Sequence, residues 1–600
     1  MDRPVFAYKI LAKLRSACFS LIFLPAAGLK TVAKQADRDY NIEMSAGEND
    51  RIVPRHLNFL SLFGGVMKGK EKATYIKNVI LPGFVVSGLT GVITGAAIFF
   101  FKWGAEFIGA ASTHIYGLIL ENPAFVPLMF IALVGLALCM AFIIKGAPAV
   151  AGGGIPTAEG ILRGLITFRW LRTFLSMIVN SYIAFFAGLP LGNEGPSVLI
   201  GTSLGRGTNN LFNRNPAWDR YVMTGGAAAG FAVATGAPAT GMIFALEEVH
   251  KRFSPMILMV AMSSVVFAAA TSEVLGLLFG RSTAMFSLTA FVSVPVRYYW
   301  IGLVAGIVAA LTAVAFIKGF TLMYRLLSEK IAAVPVWVKL VALFLVAGAV
   351  ALALPAAAGS GHGVIESVLE RGYVWYMLLV LLIVKIVMII LCGGAGATGG
   401  LFIPVLTVGA LAGGLLAELL VFFGVPSEYY SIIVTVTISA FLGATLRAPI
   451  TAIVFFIEAL GGFNNILFSA AGVLIAFVFM ELVGVKPLYE VVLERKLKVM
   501  HRDEKPHIVE FSVTVKDDSF VVGKTTRDIF WPPSCLVLQV VRAGQNAASD
   551  ARMDKDGDKV LKSGDSLSLR VQTYDEPETR RLIGDLVGVQ DDSQRREYMP

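Results

Sequence analysis

One acid stands where an acid is costly. Glu194 lies in Gly188-Leu189-Pro190-Leu191-Gly192-Asn193-Glu194-Gly195-Pro196-Ser197, a run of glycines and prolines inside otherwise apolar sequence. A carboxylate at bilayer depth costs at least a few kcal/mol unless it is protonated or faces a polar cavity. Non-helical backbone at that depth must be buried in protein or line a water-filled path. Pro196 suits the first turn of a helix, whose free N–H groups would point back toward Glu194 and form an anion site. The implied chemistry is ion binding: Glu194 takes, as an internal anion, the place of a permeating one, and protonation releases it. A second acid, Glu248, follows Glu247 at the end of the apolar stretch 242–246 and precedes Lys251-Arg252. His114, His250 and His362 are isolated, with no nucleophile beside them, so enzyme chemistry is not expected.

These residues are set in a chain suited to a bilayer. Its 600 residues are 56% hydrophobic with a mean hydropathy of +0.71, which predicts a polytopic integral membrane protein. The formal charge of +9 concentrates in segments flanking the apolar part, which argues against nucleic acid as a partner. The four cysteines, Cys18, Cys139, Cys392 and Cys535, show neither metal-ligand nor disulfide-like spacing. Residues 1–74 read as a cytoplasmic amino-terminal segment with an interfacial helix in the apolar run 17–27. Lys68, Lys70, Lys72 and Lys77 then orient that end toward the cytoplasm, and both termini are expected there. Apolar runs follow at 79–101, 123–144, 173–190, 255–279, 299–317, 337–357, 373–392, 401–424, 430–445 and 449–483. Several are short or broken by Gly and Pro, as in transporters and channels whose interrupted helices hold the substrate. Lys385, inside one run, is expected to snorkel or to line a proton route.

An internal repeat orders the membrane part. Gly192, Pro196 and Gly201 recur 208 residues on as Gly400, Pro404 and Gly409. Ala237-Pro238-x-Thr240 ending at Glu247 recurs 211 residues on as Ala448-Pro449-x-Thr451 ending at Glu458. Two halves of inverted topology, 75–280 and 290–490, would place a site at their interface, with Glu194 opposite Phe402. Glu247 and Glu458 repeat and read as structural. Residues 491–506 form a polar linker. A small α/β domain follows over 507–600, with strands at 507–515, 535–542 and 560–573 and helices at 523–530 and 576–588. Asp554-Lys555-Asp556-Gly557-Asp558 resembles a calcium loop but continues with Lys559, so a polar hairpin turn is expected.

Gly152-Gly153-Gly154-Ile155-Pro156, Gly192-Asn193-Glu194-Gly195-Pro196, Gly400-Leu401-Phe402-Ile403-Pro404, the Ala237–Glu248 segment and a late Tyr489 resemble, in order and spacing, the CLC family of chloride channels and proton-coupled antiporters. The resemblance covers about residues 75–490. It implies an all-α polytopic membrane protein with the CLC inverted-repeat fold of broken and re-entrant helices, homodimeric, in the cell membrane of a prokaryote. It further implies Glu194 as the external gating glutamate and Glu248 as the intracellular proton-transfer residue. Chloride, the substrate, would be held by the loops carrying Gly153, Gly154 and Ile155 and carrying Leu401 and Phe402, together with the Tyr489 hydroxyl, and no cofactor is implied. Proton exchange is the leading expectation and a passive anion channel the alternative. Two departures stand out: Gly153 replaces the family's usual serine, which removes a hydroxyl donor and predicts a more permissive anion site, and Asn193 replaces the usual basic residue. The tail, through Val522–Asp528, Cys535–Leu538 and Lys562–Leu567, resembles the carboxy-terminal regulatory domain of potassium-uptake (TrkA) and RCK proteins. Ligand binding or dimerisation is the expectation there.

Overall fold

A computed structural model describes residues 80–212, 216–286, 292–326, 334–461, 463–500, 507–517, 519–532, 534–543, 560–573 and 575–588. The interfacial helix, the lysines before residue 79 and the 554–558 turn lie outside the described residues.

Among the described residues seventeen α-helices precede the sheet of the tail. They are α1 (Leu81–Glu121), α2 (Val126–Gly146), α3 (Gly154–Leu162), α4 (Trp170–Phe186), α5 (Glu194–Leu211), α6 (Asp219–Thr235), α7 (Pro238–Phe244), α8 (Pro255–Phe279), α9 (Tyr299–Arg325), α10 (Val336–Ala353), α11 (His362–Leu369), α12 (Trp375–Ala395), α13 (Phe402–Phe422), α14 (Tyr430–Leu446), α15 (Pro449–Glu458), α16 (Ile466–Val483) and α17 (Leu488–Met500). Proline opens α1, α2, α7, α8 and α15, where its missing N–H is no loss. Left-handed glycines close α6, α8, α12 and α16. Among the described residues nine helical segments are long and apolar enough to cross a membrane.

The boundaries differ from the sequence expectation in identifiable places. The run 79–101 is only the first half of one 41-residue helix, α1, because its polar continuation stays helical. The run 449–483 is two helices, α15 and α16, parted near Gly461, which takes a positive φ. Helix α17 continues to Met500, into the stretch expected as linker.

Helices α3–α8 recur as α11–α16: the starts Gly154 and His362, and Glu194 and Phe402, both lie 208 residues apart. The halves meet at equivalent residues. Gly192 N–H donates to Gly400 O and Gly400 N–H to Gly192 O, each at 2.8 Å, as an antiparallel bridge. Antiparallel pairing of a residue with its own repeat partner is the mark of a two-fold axis between inverted halves. A second reciprocal contact repeats that symmetry. Glu247 accepts from the N–H of Ile450 (3.0 Å) and Thr451 (2.6 Å) at the start of α15, and Glu458 accepts from the N–H of Ala239 (2.8 Å) and Thr240 (2.7 Å) in α7. Each carboxylate thus caps the opposite half's helix, the structural role expected of the pair.

The tail is a three-stranded antiparallel sheet of order β1 (His507–Thr514), β3 (Ser566–Thr573), β2 (Cys535–Val541), with helix α18 (Glu576–Val587). The strand expected from 560 starts only at Ser566, because the Lys562–Asp565 turn intervenes. The helix expected at 523–530 is a single 3-10 turn at Thr526–Asp528.

Candidate functional site

Three glycine turns converge at the start of α5. A methyl group on Gly154 would collide with Gly195 O, and one on Gly195 would lie 2.6 Å from Gly400 Cα, so only glycine permits this approach. Gly152 N–H donates to Gly396 O at 3.1 Å and closes the third side. The loops of Gly153, Gly154 and Ile155, of Glu194, and of Leu401 and Phe402 are thereby brought together.

Glu194 is the first residue of α5 and is 1% exposed. Its carboxylate accepts from its own N–H and from the N–H of Ile403 in the first turn of α13. Oε2 lies over Gly192, where a methyl group would be 2.5 Å away, and has no hydrogen-bond donor. The acid of one half therefore sits on the positive end of the facing helix of the other, in the position an anion would take. Phe402, its repeat counterpart, is fully buried, edge-on to Phe231 at 5.0 Å and Phe455 at 5.4 Å.

Tyr489, at the start of α17, is fully buried and its hydroxyl makes no hydrogen bond to the protein. It lies within electrostatic reach of Glu248, Glu194 and Glu159. A buried hydroxyl without a partner is rare and leaves a donor for a bound ion or water. Arg495 and Lys496 fix α17 to both halves. The Arg495 guanidinium donates to Gly393 O (3.2 Å) and Gly394 O (3.0 Å), and Lys496 Nζ donates to Ala149 O (2.8 Å), Ala151 O (2.9 Å) and Thr157 Oγ1 (2.6 Å).

Glu248 lies in a π-helical turn, Ala245–Val249, that continues α7, and it is 2% exposed. Beside it is an acid that sequence reasoning missed, Glu159 of α3, also buried and ion-paired with Arg163. Lys251 and Glu490 pair at 3.6 Å nearby. The signal for Glu159 was present: it is an acid inside the otherwise apolar segment 154–162. This cluster lies on the side that carries the tail, since Glu248 is two residues from His250, whose ring stacks on Phe530 of the tail at 4.6 Å.

A second missed residue is Lys102. Gly83 of α1 packs on Trp218, which meets Phe520 of the tail, and Lys102 is about 29 Å further along the same helix, close to the thickness of a hydrocarbon core. It is in electrostatic reach of Glu194 and lines a shallow cleft with Phe99, Trp103, Glu106, Arg281 and Thr283. Lys385 does not snorkel. It is fully buried and donates to Gly359 O at 2.8 Å, holding a turn that is bonded in turn to Gly188 O.

Known proteins resemble this chain in sequence and in fold. The H(+)/Cl(-) exchange transporter ClcA of Citrobacter koseri is 29% identical over 435 residues, covering 70% of this chain and 89% of the relative. A solved structure of a slow cyanobacterial Cl-/H+ antiporter superposes with a TM-score of 0.64 at 26% identity, covering 69% of this chain and 98% of the other. A CLC-type fluoride/proton antiporter shares the fold at 20% identity and a TM-score of 0.58, covering 71% of this chain and 99% of the other. The family model for the voltage gated chloride channel matches residues 134–481, more than half of the sequence and all of the helices from α3 to α15. The chain therefore belongs to the voltage gated chloride channel (CLC) family.

Proposed function

We propose that the protein is a secondary active transporter that exchanges chloride or a similar monovalent anion for protons across a bacterial inner membrane. The observation that carries this reading is the Glu194 carboxylate, buried on the first turn of α13 with one oxygen unpartnered. An ionised Glu194 competes with the anion for the same N–H groups. A protonated one loses that charge-assisted attraction and yields the place. Proton occupancy and anion occupancy are thus linked through a single side chain.

Glu248 supports exchange over passive conduction. It is a buried acid on the tail side, with Tyr489 within reach of it and of Glu194, so protons have a separate entry from that side. The curated relatives carry exchange-transporter names, which supports the same choice. The anion is held by the N–H groups at Gly154, Ile155, Leu401 and Phe402 and by the Tyr489 hydroxyl, with Gly153 contributing backbone only. Partial charges of about half an elementary charge at helix starts replace hydration without trapping the ion as a fixed cation would. Lys102 and Arg281 supply the positive potential at the mouth remote from the tail, where Asn193 supplies none. The tail, cytoplasmic with both termini, is a regulatory domain of the TrkA/RCK type, and the transporter is a homodimer embedded in lipid.

The test is flux in proteoliposomes. An inward chloride gradient set against a proton gradient should drive protons uphill. Chloride flux without proton movement would identify a channel instead. Chloride, nitrate and fluoride compared in the same assay give the selectivity.

A further inference from the structure

Arg220, near the start of α6, is hydrogen-bonded in two directions. Its Nε donates to Leu162 O, the last residue of α3, at 2.7 Å. Its Nη1 donates to two carbonyls of the tail, Phe530 O at 2.9 Å and Trp531 O at 2.8 Å. The Phe530 ring also lies 5.1 Å from the guanidinium carbon. The same ring stacks on His250 at an interplanar angle of 24° and packs on Tyr221 at 4.3 Å. His250 in turn shares a hydrogen bond of 2.8 Å with Thr224 of α6. Phe530 is 5% exposed, so these contacts exclude water.

The two segments that meet here are the ones that carry the buried acids. Helix α3 bears Glu159 and ends on Arg220, and the π-helical turn bears Glu248 and ends on His250. One loop of the tail completes both. Without it, two carbonyl acceptors of a half-buried guanidinium and the stacking partner of His250 are lost together, and charge-assisted bonds of this kind are the strong ones. The anion-side turns are held differently, by the Gly192–Gly400 bridge between the halves.

We infer that Arg220 is a positioning residue for Glu159 and Glu248, and that seating of the Phe530–Trp531 loop of the carboxy-terminal domain completes its hydrogen bonding, so that docking of the tail sets proton coupling while leaving anion passage to the glycine turns. This inference rests on the exchange reading for its functional half.

The experiment uses Phe530→Ala and Arg220→Lys in the full-length chain, reconstituted in liposomes with chloride and proton fluxes recorded together. The proton-to-chloride ratio should fall roughly threefold to tenfold while chloride turnover stays within about twofold. In parallel, deuterium exchange at the amides of 155–163 and 246–250 should quicken in both variants. Phe530→Leu keeps the packing without the stacked ring, and it should give the same direction of change if the alanine variant fails to fold. Phe530→Tyr should restore the wild-type ratio. An unchanged ratio with unchanged amide exchange overturns the inference, as does a parallel fall of both fluxes. Should the wild-type protein itself move no protons, the exchange reading fails, while the amide data still decide whether Arg220 and Phe530 position the two acids.

Discussion

At the scale of the residue, the proposed function rests on buried groups left short of a partner. Glu194 has one unpaired oxygen, Tyr489 an unpaired hydroxyl and Glu248 one oxygen without a donor. In a protein interior such groups are uncommon, and on the proposed reading these three are where a bound ion or a proton completes the bonding. Glu194→Gln mimics the neutral acid permanently. It should abolish proton movement and remove the pH dependence of chloride flux, measured as flux against pH in liposomes. Glu248→Ala should lower proton flux at least tenfold and leave chloride flux within about threefold, since on the proposed reading it removes a proton-transfer group and no anion ligand. Gly153 has φ −71° and ψ 135°, and an added Cβ would approach only Pro156 closely, at 3.2 Å, so Gly153→Ser fits with a small adjustment. Restoring a hydroxyl donor worth about 1 kcal/mol should raise chloride over nitrate selectivity roughly fivefold in competition flux assays. Glu194, Tyr489 and the glycine turns were legible because rare residue types in an apolar chain carry their own meaning. Glu159 carried the same signal, an acid in an apolar segment, but was passed over, whereas Lys102 gains significance only from Glu194 and Arg281, which are distant in sequence.

At the scale of the element, interrupted helices aim their ends at one point and are held there by caps from the other half. The Glu247 and Glu458 carboxylates each satisfy two backbone N–H groups and a threonine hydroxyl across the interface. Glu458→Ala leaves those donors unpaired and should cost about 1–3 kcal/mol, read as a lower midpoint of thermal unfolding in detergent. The repeat also explains an odd backbone. Arg447 closes α14 with φ +62°, where its counterpart Gly236 closes α6 with the same angle. The strain is offset by Arg447 Nη2 donating to Met480 O (2.6 Å) and Val485 O (2.7 Å) and by an ion pair with Glu481 at 2.8 Å. The order of the helices and the repeat were readable because the glycine and proline punctuation recurs at fixed offsets. Element ends were less readable: the run 449–483 holds a Gly461-Gly462-Phe463-Asn464-Asn465 break that marks the division of α15 from α16, and reading the stretch as one apolar run passed over it.

At the scale of the whole molecule, the tail and the membrane helices share one continuous apolar cluster. Phe520, Ile529 and Phe530 of the tail join Trp218, Tyr221, Leu246 and Met256 of the membrane part. The change of composition after Tyr489 gave no sign of this junction, since the aromatic residues on each side look like ordinary interior residues until they face each other. On the proposed reading the mouth remote from the tail is distinguished by the charge of Lys102 and Arg281. Lys102→Met should slow chloride uptake from that side about threefold at low ionic strength and much less at high salt, where the field is screened. A reconstitution that compares uptake from the two faces would read this directly.

The backbone bridge between Gly192 and Gly400 has a mechanical corollary. Two hydrogen bonds rivet the tips of the opposed half-helices across the centre of the molecule, so neither half can swing away from the other without tearing the rivet. On the proposed mechanism, opening then falls to the pivot of the Glu194 side chain, because parting the halves at this point would cost both bonds of the bridge.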